Sequence, residues 1–233
     1  MERDGPTPLN SAVFSAQPYP KAFTMADRLG AAHKRTRRSG IIDPPDGTLP
    51  WRPAAEAKRR EILKYVLKPP SLEYVEPLAR CMPGLLMGDD RNAYHILQRP
   101  GLVVVFYEFN HMARSIPVDG RPHVGENIRM FMGDSRGQWM GDTLVVTTKN
   151  FTDSTWISRH IPFHSKALTL TERFTMSDPD TIDYELTIDD PDLFTRSWTV
   201  AGFFTRAESD YEVMEYACAE GSRALENVLP PPQ

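Results

Sequence analysis

Asp119, Arg121 and His123 sit within five residues in the string Asp119-Gly120-Arg121-Pro122-His123. A carboxylate, a guanidinium and an imidazole on one tight loop are a plausible acid–base set. Arg121 can clamp an anionic or phenolate oxygen, and His123 can shuttle a proton near neutral pH. The plainer reading is a turn in which Asp119 caps backbone amides and Arg121 pairs locally. Glu172 is the second oddity. In the run from Ala167 to Met176, alternation puts Leu168, Leu170, Glu172, Phe174 and Met176 on one face, against Thr169, Thr171, Arg173 and Thr175 on the other. The apolar face must be the core, and a lone buried carboxylate costs several kcal/mol unless it is paired or protonated. Tyr184 shares an apolar face with Ile182, Leu186 and Ile188, and Trp198 precedes Val200 on another. An inward acid, phenol and indole are therefore expected together.

The run from Leu102 is mixed. Leu102, Val104, Phe106, Glu108, Asn110, Met112 and Arg114 share one parity; Val103, Val105, Tyr107, Phe109 and His111 share the other. Asn150 shares its parity with Leu144, Val146 and Thr148. These patterns predict a pocket with Glu172 and Tyr184 as working groups, helped by His123 and Arg121 at its mouth. Tyr107, Glu108, Arg114, Asn150, Trp198 and His95 are expected along its walls as substrate-binding groups. In the alternative, Glu172 and Arg114 form a buried structural ion pair, and Tyr184 bonds a backbone carbonyl.

Other chemistries lack their motifs. There is no G-x-G-x-x-G, G-x-x-x-x-G-K-[ST] or G-x-S-x-G, so no dinucleotide, P-loop or serine-hydrolase signature. No cofactor and no metal are expected; His160 and His164 flank Pro162, which rules out a regular helix presenting both on one face. Cys81 and Cys218 have no zinc or redox spacing. They are read as two buried thiols or, alternatively, as a disulfide tying the front of the chain to its end, which needs an oxidising compartment.

The elements that must position these groups follow from composition and punctuation. The net charge of −4 offers no phosphate-neutralising excess, so no nucleic-acid partner is expected. No apolar run is long enough for a membrane span. The start of the chain carries charges and no signal-type apolar stretch, which predicts a cytoplasmic protein. Prolines number 21 of 233, about 9% against a usual ~5%. They concentrate in residues 1–53, read as an N-terminal arm able to cap a barrel mouth or wrap a second subunit in a homodimer; its basic cluster His33, Lys34, Arg35, Arg37 and Arg38 is read as a solvated patch. Residues 54–233 form the main domain. A helix is predicted over Ala54–Leu67 and a weaker turn over Leu72–Arg80.

About eight strands follow, at Ala93–Gln98, Leu102–Asn110, Ala113–Ile116, Thr143–Lys149, Ala167–Met176, Thr181–Ile188, Phe194–Phe204 and Tyr211–Ala217. The string Gly133–Gly137 is read as one of the intervening turns. The expected fold is mainly β: a lipocalin-like (calycin) antiparallel barrel with an N-terminal arm and a leading helix, a size that can hold one small ligand. A sandwich is the second choice.

Several strings taken together resemble a large bacterial family with little assigned chemistry: Ile42-Asp43-Pro44-Pro45-Asp46-Gly47, Ile116-Pro117-Val118-Asp119-Gly120-Arg121-Pro122-His123, Gly133-Asp134-Ser135-Arg136-Gly137-Gln138-Trp139-Met140-Gly141-Asp142-Thr143-Leu144-Val145-Val146, Glu172-Arg173-Phe174 and Tyr216-Ala217-Cys218. The likeness spans roughly residues 40–226. Many members of that family are exported, and this chain departs from them in its start. More distantly, the chain is similar to cofactor-free lyases of lignin breakdown, which remove formaldehyde from phenolic dimers such as phenylcoumarans. That likeness implies a substrate class and transfers no catalytic residue. The expected function is a cofactor-independent lyase or isomerase acting on an oxygenated aromatic molecule. A non-catalytic carrier is the alternative, and an envelope interaction protein is a third class.

Overall fold

The computed structural model describes residues 12–15, 40–82, 84, 85, 87, 93–207, 210–220 and 222–229. The basic cluster His33–Arg38 lies outside the described residues. Among the described residues ten strands form one sheet: β1 (Ala12–Ser15), β2 (Gly40–Asp43), β3 (Ala93–Arg99), β4 (Leu102–Tyr107), β5 (Ala113–Pro117), β6 (Asp134–Met140), β7 (Thr143–Lys149), β8 (Thr169–Asp178), β9 (Thr181–Asp189) and β10 (Trp198–Arg206). They are joined in the order β5-β4-β3-β1-β10-β9-β8-β7-β6, with β2 added to β10. Every pairing is antiparallel. Helix α1 (Pro53–Leu63) begins on a proline, and α2 (Ala224–Val228) lies near the C-terminus. No helix among the described residues is long and apolar enough to cross a membrane.

The mainly antiparallel β reading holds, and several expectations change. Residues 1–53 contribute β1 and β2; both are only four residues long, short enough to survive between prolines. The string from Asp134 is not a turn but β6, laddered along its whole length to β7. Gly137 is there for space: a Cβ on it would meet Val118 Cγ1 at 2.8 Å and Ile116 Cγ2 at 3.0 Å. Conversely, residues 211–217 form no strand, and β10 begins only at Trp198, the first residue able to ladder with Ile188. The predicted helix over Ala54–Leu67 stops at Leu63, and Leu72–Arg80 holds two short 3₁₀ turns, Leu72–Tyr74 and Pro77–Arg80.

A closed ladder is not formed: among the described residues no main-chain pairing joins β5 to β6. The sheet nevertheless curls until these two edges lie side by side. Arg114 of β5 reaches Ser135 of β6, and Gly137 abuts Ile116 and Val118, so the edges run in the same direction. The inward face is filled by rings. Tyr94 packs on Tyr107 and Phe204, Phe204 on Tyr184, and Tyr184 on Phe174, with centroids 5.1–5.6 Å apart. Cys81 and Cys218 are bonded as a disulfide, their Cα atoms 5.6 Å apart, so the buried-thiol reading gives way to the bridge.

Candidate functional site

Two groups of polar side chains stand out, one inside the sheet and one at its rim. The inner group grows from strand parity. Glu172 on β8 faces Val146 and Leu186 in the ladders on either side, so its carboxylate is directed into the core. Arg114 on β5 meets it with both terminal nitrogens: Nη1 donates to Oε1 at 3.0 Å and Nη2 to Oε2. The same guanidinium donates from Nε to Ser135 Oγ at 2.9 Å and from Nη2 to Thr148 Oγ1 at 2.7 Å. The Tyr184 hydroxyl donates to Glu172 Oε1 at 3.0 Å, and Tyr107 also stands against the guanidinium. Side chains from six consecutive strands, β4 to β9, thus meet around one buried ion pair.

The electrostatics of this group favour permanence. Burial works against the Arg114 charge, but the Glu172 carboxylate outweighs it and the net displacement is upward. Burial first, and the Glu172 charge second, push the Tyr184 phenol well above its ordinary range. Tyr184 therefore stays a donor at any ordinary pH. A cavity of about 10 Å3, bounded by Leu85, Arg114, Met132, Thr148, Phe151 and Leu170, lies beside the pair; it is the size of a single water.

The rim group is built by the chain between β5 and β6. His123 Nδ1 donates to Asp134 Oδ2 at 2.8 Å, the backbone amide of Val124 donates to the same oxygen at 3.1 Å, and Arg136 Nη1 donates to Oδ1 at 2.6 Å. Asp134 is buried, whereas the imidazole is a quarter exposed. Arg136 Nε also donates to Pro122 O at 2.8 Å, tying the loop to the start of β6. A buried carboxylate on Nδ1 favours the imidazole tautomer protonated there, with Nε2 the acceptor nitrogen. No family model, curated protein or solved structure matches the chain. Its chemistry therefore has to be argued from these contacts.

The remaining expected residues divide. Trp198 is inward as expected, edge-on to Phe194 at 5.6 Å. Arg121 is exposed and held by Asp119 two residues earlier, which keeps that carboxyl down at about 2; this is the local pairing of the plainer reading. His95 is not on the pocket wall. Tyr94 and Ile96 take the inward positions, and His95 lies opposite the exposed Phe106 on the outer face. Glu108 leaves the sheet, because β4 ends at Tyr107 and a 3₁₀ turn over Phe109–His111 resets the parity before Arg114. Asn150 follows the end of β7 with φ 58°, and its Nδ2 donates to Val124 O at 3.0 Å. It anchors the rim loop and does not line a cavity with Glu172.

Sequence reasoning missed Asp134, Ser135 and Thr148. Thr148 was recoverable, since it shares its parity with Leu144 and Val146. Asp134 and Ser135 were hidden in a string that reads as a turn.

The His160 and His164 pair separates as well. His160 is exposed, while His164 is buried, its Nδ1–H donating to Ser165 O at 2.8 Å and its Nε2 accepting from Thr155 Oγ1 at 2.8 Å. Burial, the largest influence, lowers its pKa, so the folded state holds the ring neutral. The unfolded chain binds that proton more readily below its ordinary value of 6.5, so stability is complete above that pH and declines as pH falls through it. Urea midpoints measured at pH 7.5 and 5.5 should fall between the two, and the difference should shrink in His164→Gln. An unchanged difference would assign the acid sensitivity elsewhere.

Proposed function

We propose that this protein is a cofactor-independent acid–base enzyme, a lyase or isomerase, acting on a hydrophobic, oxygenated aromatic small molecule. The observation that carries this reading is the His123–Asp134 pair: an imidazole aligned by a buried carboxylate, whose second nitrogen has no protein partner among the described residues and can take a proton and return it. The reading extends to cleavage of a hydroxymethyl group, the reaction of the formaldehyde lyases that the sequence is read as resembling. In that reaction R–CH2OH becomes R–H and formaldehyde: the base removes the hydroxyl proton, the C–C electron pair passes to R, and the proton is returned to that carbon. One imidazole can serve both halves, so the step balances without an added oxidant or reductant. Arg121, two residues away on the exposed loop, can stabilise a developing oxyanion if it exchanges its hold on Asp119.

In this reading Glu172, Arg114 and Tyr184 are scaffold, since each already spends its hydrogen bonds on the others. The lipocalin-like architecture rests on β5 and β6 lying side by side, a barrel closed by side chains. The Cys81–Cys218 bridge supports an oxidising compartment in place of the cytoplasm.

The test is incubation of purified protein, with no added cofactor, with phenolic dimers that carry hydroxymethyl groups, reading substrate loss and formaldehyde. His123→Gln should lower kcat by about 10²- to 10⁴-fold with little change in KM, and Asp134→Asn should follow it. A folded His123→Gln protein with full turnover would overturn the assignment.

A further inference from the structure

We propose that residues 211–218 are a removable plug seated in a phenol-binding site formed by Glu108, Phe109, Asn110 and His111. The inference deepens the aromatic-substrate reading above and rests on it for its biological meaning. The segment has no ladder of its own. It is held across the corner between β4 and β5 by what its side chains and amides offer. Tyr211 donates its phenol to Glu108 Oε1 at 2.8 Å, and the Met214 amide donates to the same oxygen at 3.0 Å. The other oxygen, Oε2, accepts from the Ala93 amide at 3.2 Å. The Tyr216 ring lies 4.8 Å from Phe109, and the Tyr216 amide donates to His111 Nε2 at 3.0 Å.

Glu108 is buried, and among the described residues two of its three side-chain donors belong to the plug. Withdrawing the plug leaves Oε1 with no donor among the described residues, beside an uncovered aromatic face. That demand is met by a molecule carrying a hydroxyl on an apolar ring, which is what Tyr211 supplies now. Burial, and then the bond to Glu108, push the Tyr211 phenol up to about 12, so it remains a donor. A separate observation marks the same turn. Asn110 keeps both amide atoms out of solvent without a partner among the described residues, and Asn110 and His111 hold successive left-handed φ values of 57° and 50°. Unpaired buried amides and strained backbone are found where a ligand completes the structure.

The Cys81–Cys218 bridge is the covalent end of the plug, fastening it to the 3₁₀ turn at Pro77–Arg80. Reduction by a dithiol transfers two electrons and two protons to give two thiols, and the dithiol leaves as its own disulfide. Hydrogen bonds and one ring pair then remain to hold residues 211–217 in place.

The probe is 4-methylphenol, titrated by calorimetry into the oxidised full-length protein and into protein reduced with dithiothreitol. Near-UV circular dichroism checks that the core persists, and hydrogen exchange follows residues 211–217. The reduced protein should bind at least tenfold more tightly, with exchange in the plug rising in parallel, and Glu108→Leu should abolish the gain. Tyr211→Phe removes one of the plug's two hydrogen bonds to Glu108 without touching the bridge, so the oxidised variant should bind several-fold more tightly even if Glu108→Leu fails to fold. Equal affinity in both redox states and in Tyr211→Phe would overturn the proposal, as would an undiminished gain in folded Glu108→Leu. Because the readout is binding and not turnover, a failure of the enzyme reading leaves this result interpretable, and the reverse holds too.

Discussion

Replacing Arg114 by methionine should cost about 3–5 kcal/mol, the usual penalty for removing one partner of a buried ion pair. For a chain of this size that is a fall in Tm of roughly 10 °C. The loss comes from what is left behind. Without the guanidinium, Glu172 keeps, among the described residues, the Tyr184 hydroxyl alone, and Ser135 and Thr148 lose their shared donor. The charge itself contributes little, because bringing both ions out of water offsets most of their attraction. The double variant Arg114→Met, Glu172→Met should therefore recover more than half of the deficit. Thermal melts of the single and double variants decide the matter: an Arg114→Met protein within 1 kcal/mol of the parent would show that the pair is not what fastens this part of the sheet.

Removing the disulfide should have an effect of comparable size. Cys81 and Cys218 are 137 residues apart, and closing a loop of that length restricts the unfolded chain by about 5 kcal/mol in the loop-entropy model. Observed values usually fall short of the model, so a Cys81→Ala, Cys218→Ala protein is expected to lose about 2–4 kcal/mol. Urea unfolding of the oxidised parent against this variant measures it. The slope should also rise, because an uncrosslinked unfolded chain exposes more surface. A loss under 1 kcal/mol would mean that the C-terminal segment detaches before the sheet unfolds.

What could be read from the chain depended on how far local pattern controls each position. The alternation of β8 and β9 places Glu172 and Tyr184 inward, and a core face tolerates an acid only with a partner, which points to a basic mate such as Arg114. The same reasoning failed at Glu108 and Asn150. Both lie just past the end of a strand, where positive φ or a 3₁₀ turn resets parity and no alternation survives. β6 failed for another reason. Asp134-Ser135-Arg136-Gly137 has the composition of a turn, and its strand character is imposed by the ladder to β7 and by the space Gly137 leaves for Ile116 and Val118. Residues 211–217 erred in the opposite direction: β-prone side chains are present, but the partners that hold them are Glu108, Phe109 and His111, which form no strand edge. The Asp134 partner of His123 lay eleven residues away across a loop, a distance that composition cannot bridge.

The arrangement of β5 and β6 also bears on the behaviour of the protein in concentrated solution. An open sheet ordinarily ends in two rows of unsatisfied amides and carbonyls, each a template for a strand from another molecule. Here the two ends turn toward one another, and Arg114, spanning from β5 to Ser135, Thr148 and Glu172, occupies the approach. A foreign strand would have to displace a buried guanidinium before it could add to either edge. Breaking the ion pair should therefore open this approach, and increased aggregation of Arg114→Met, read by light scattering, is the expected result.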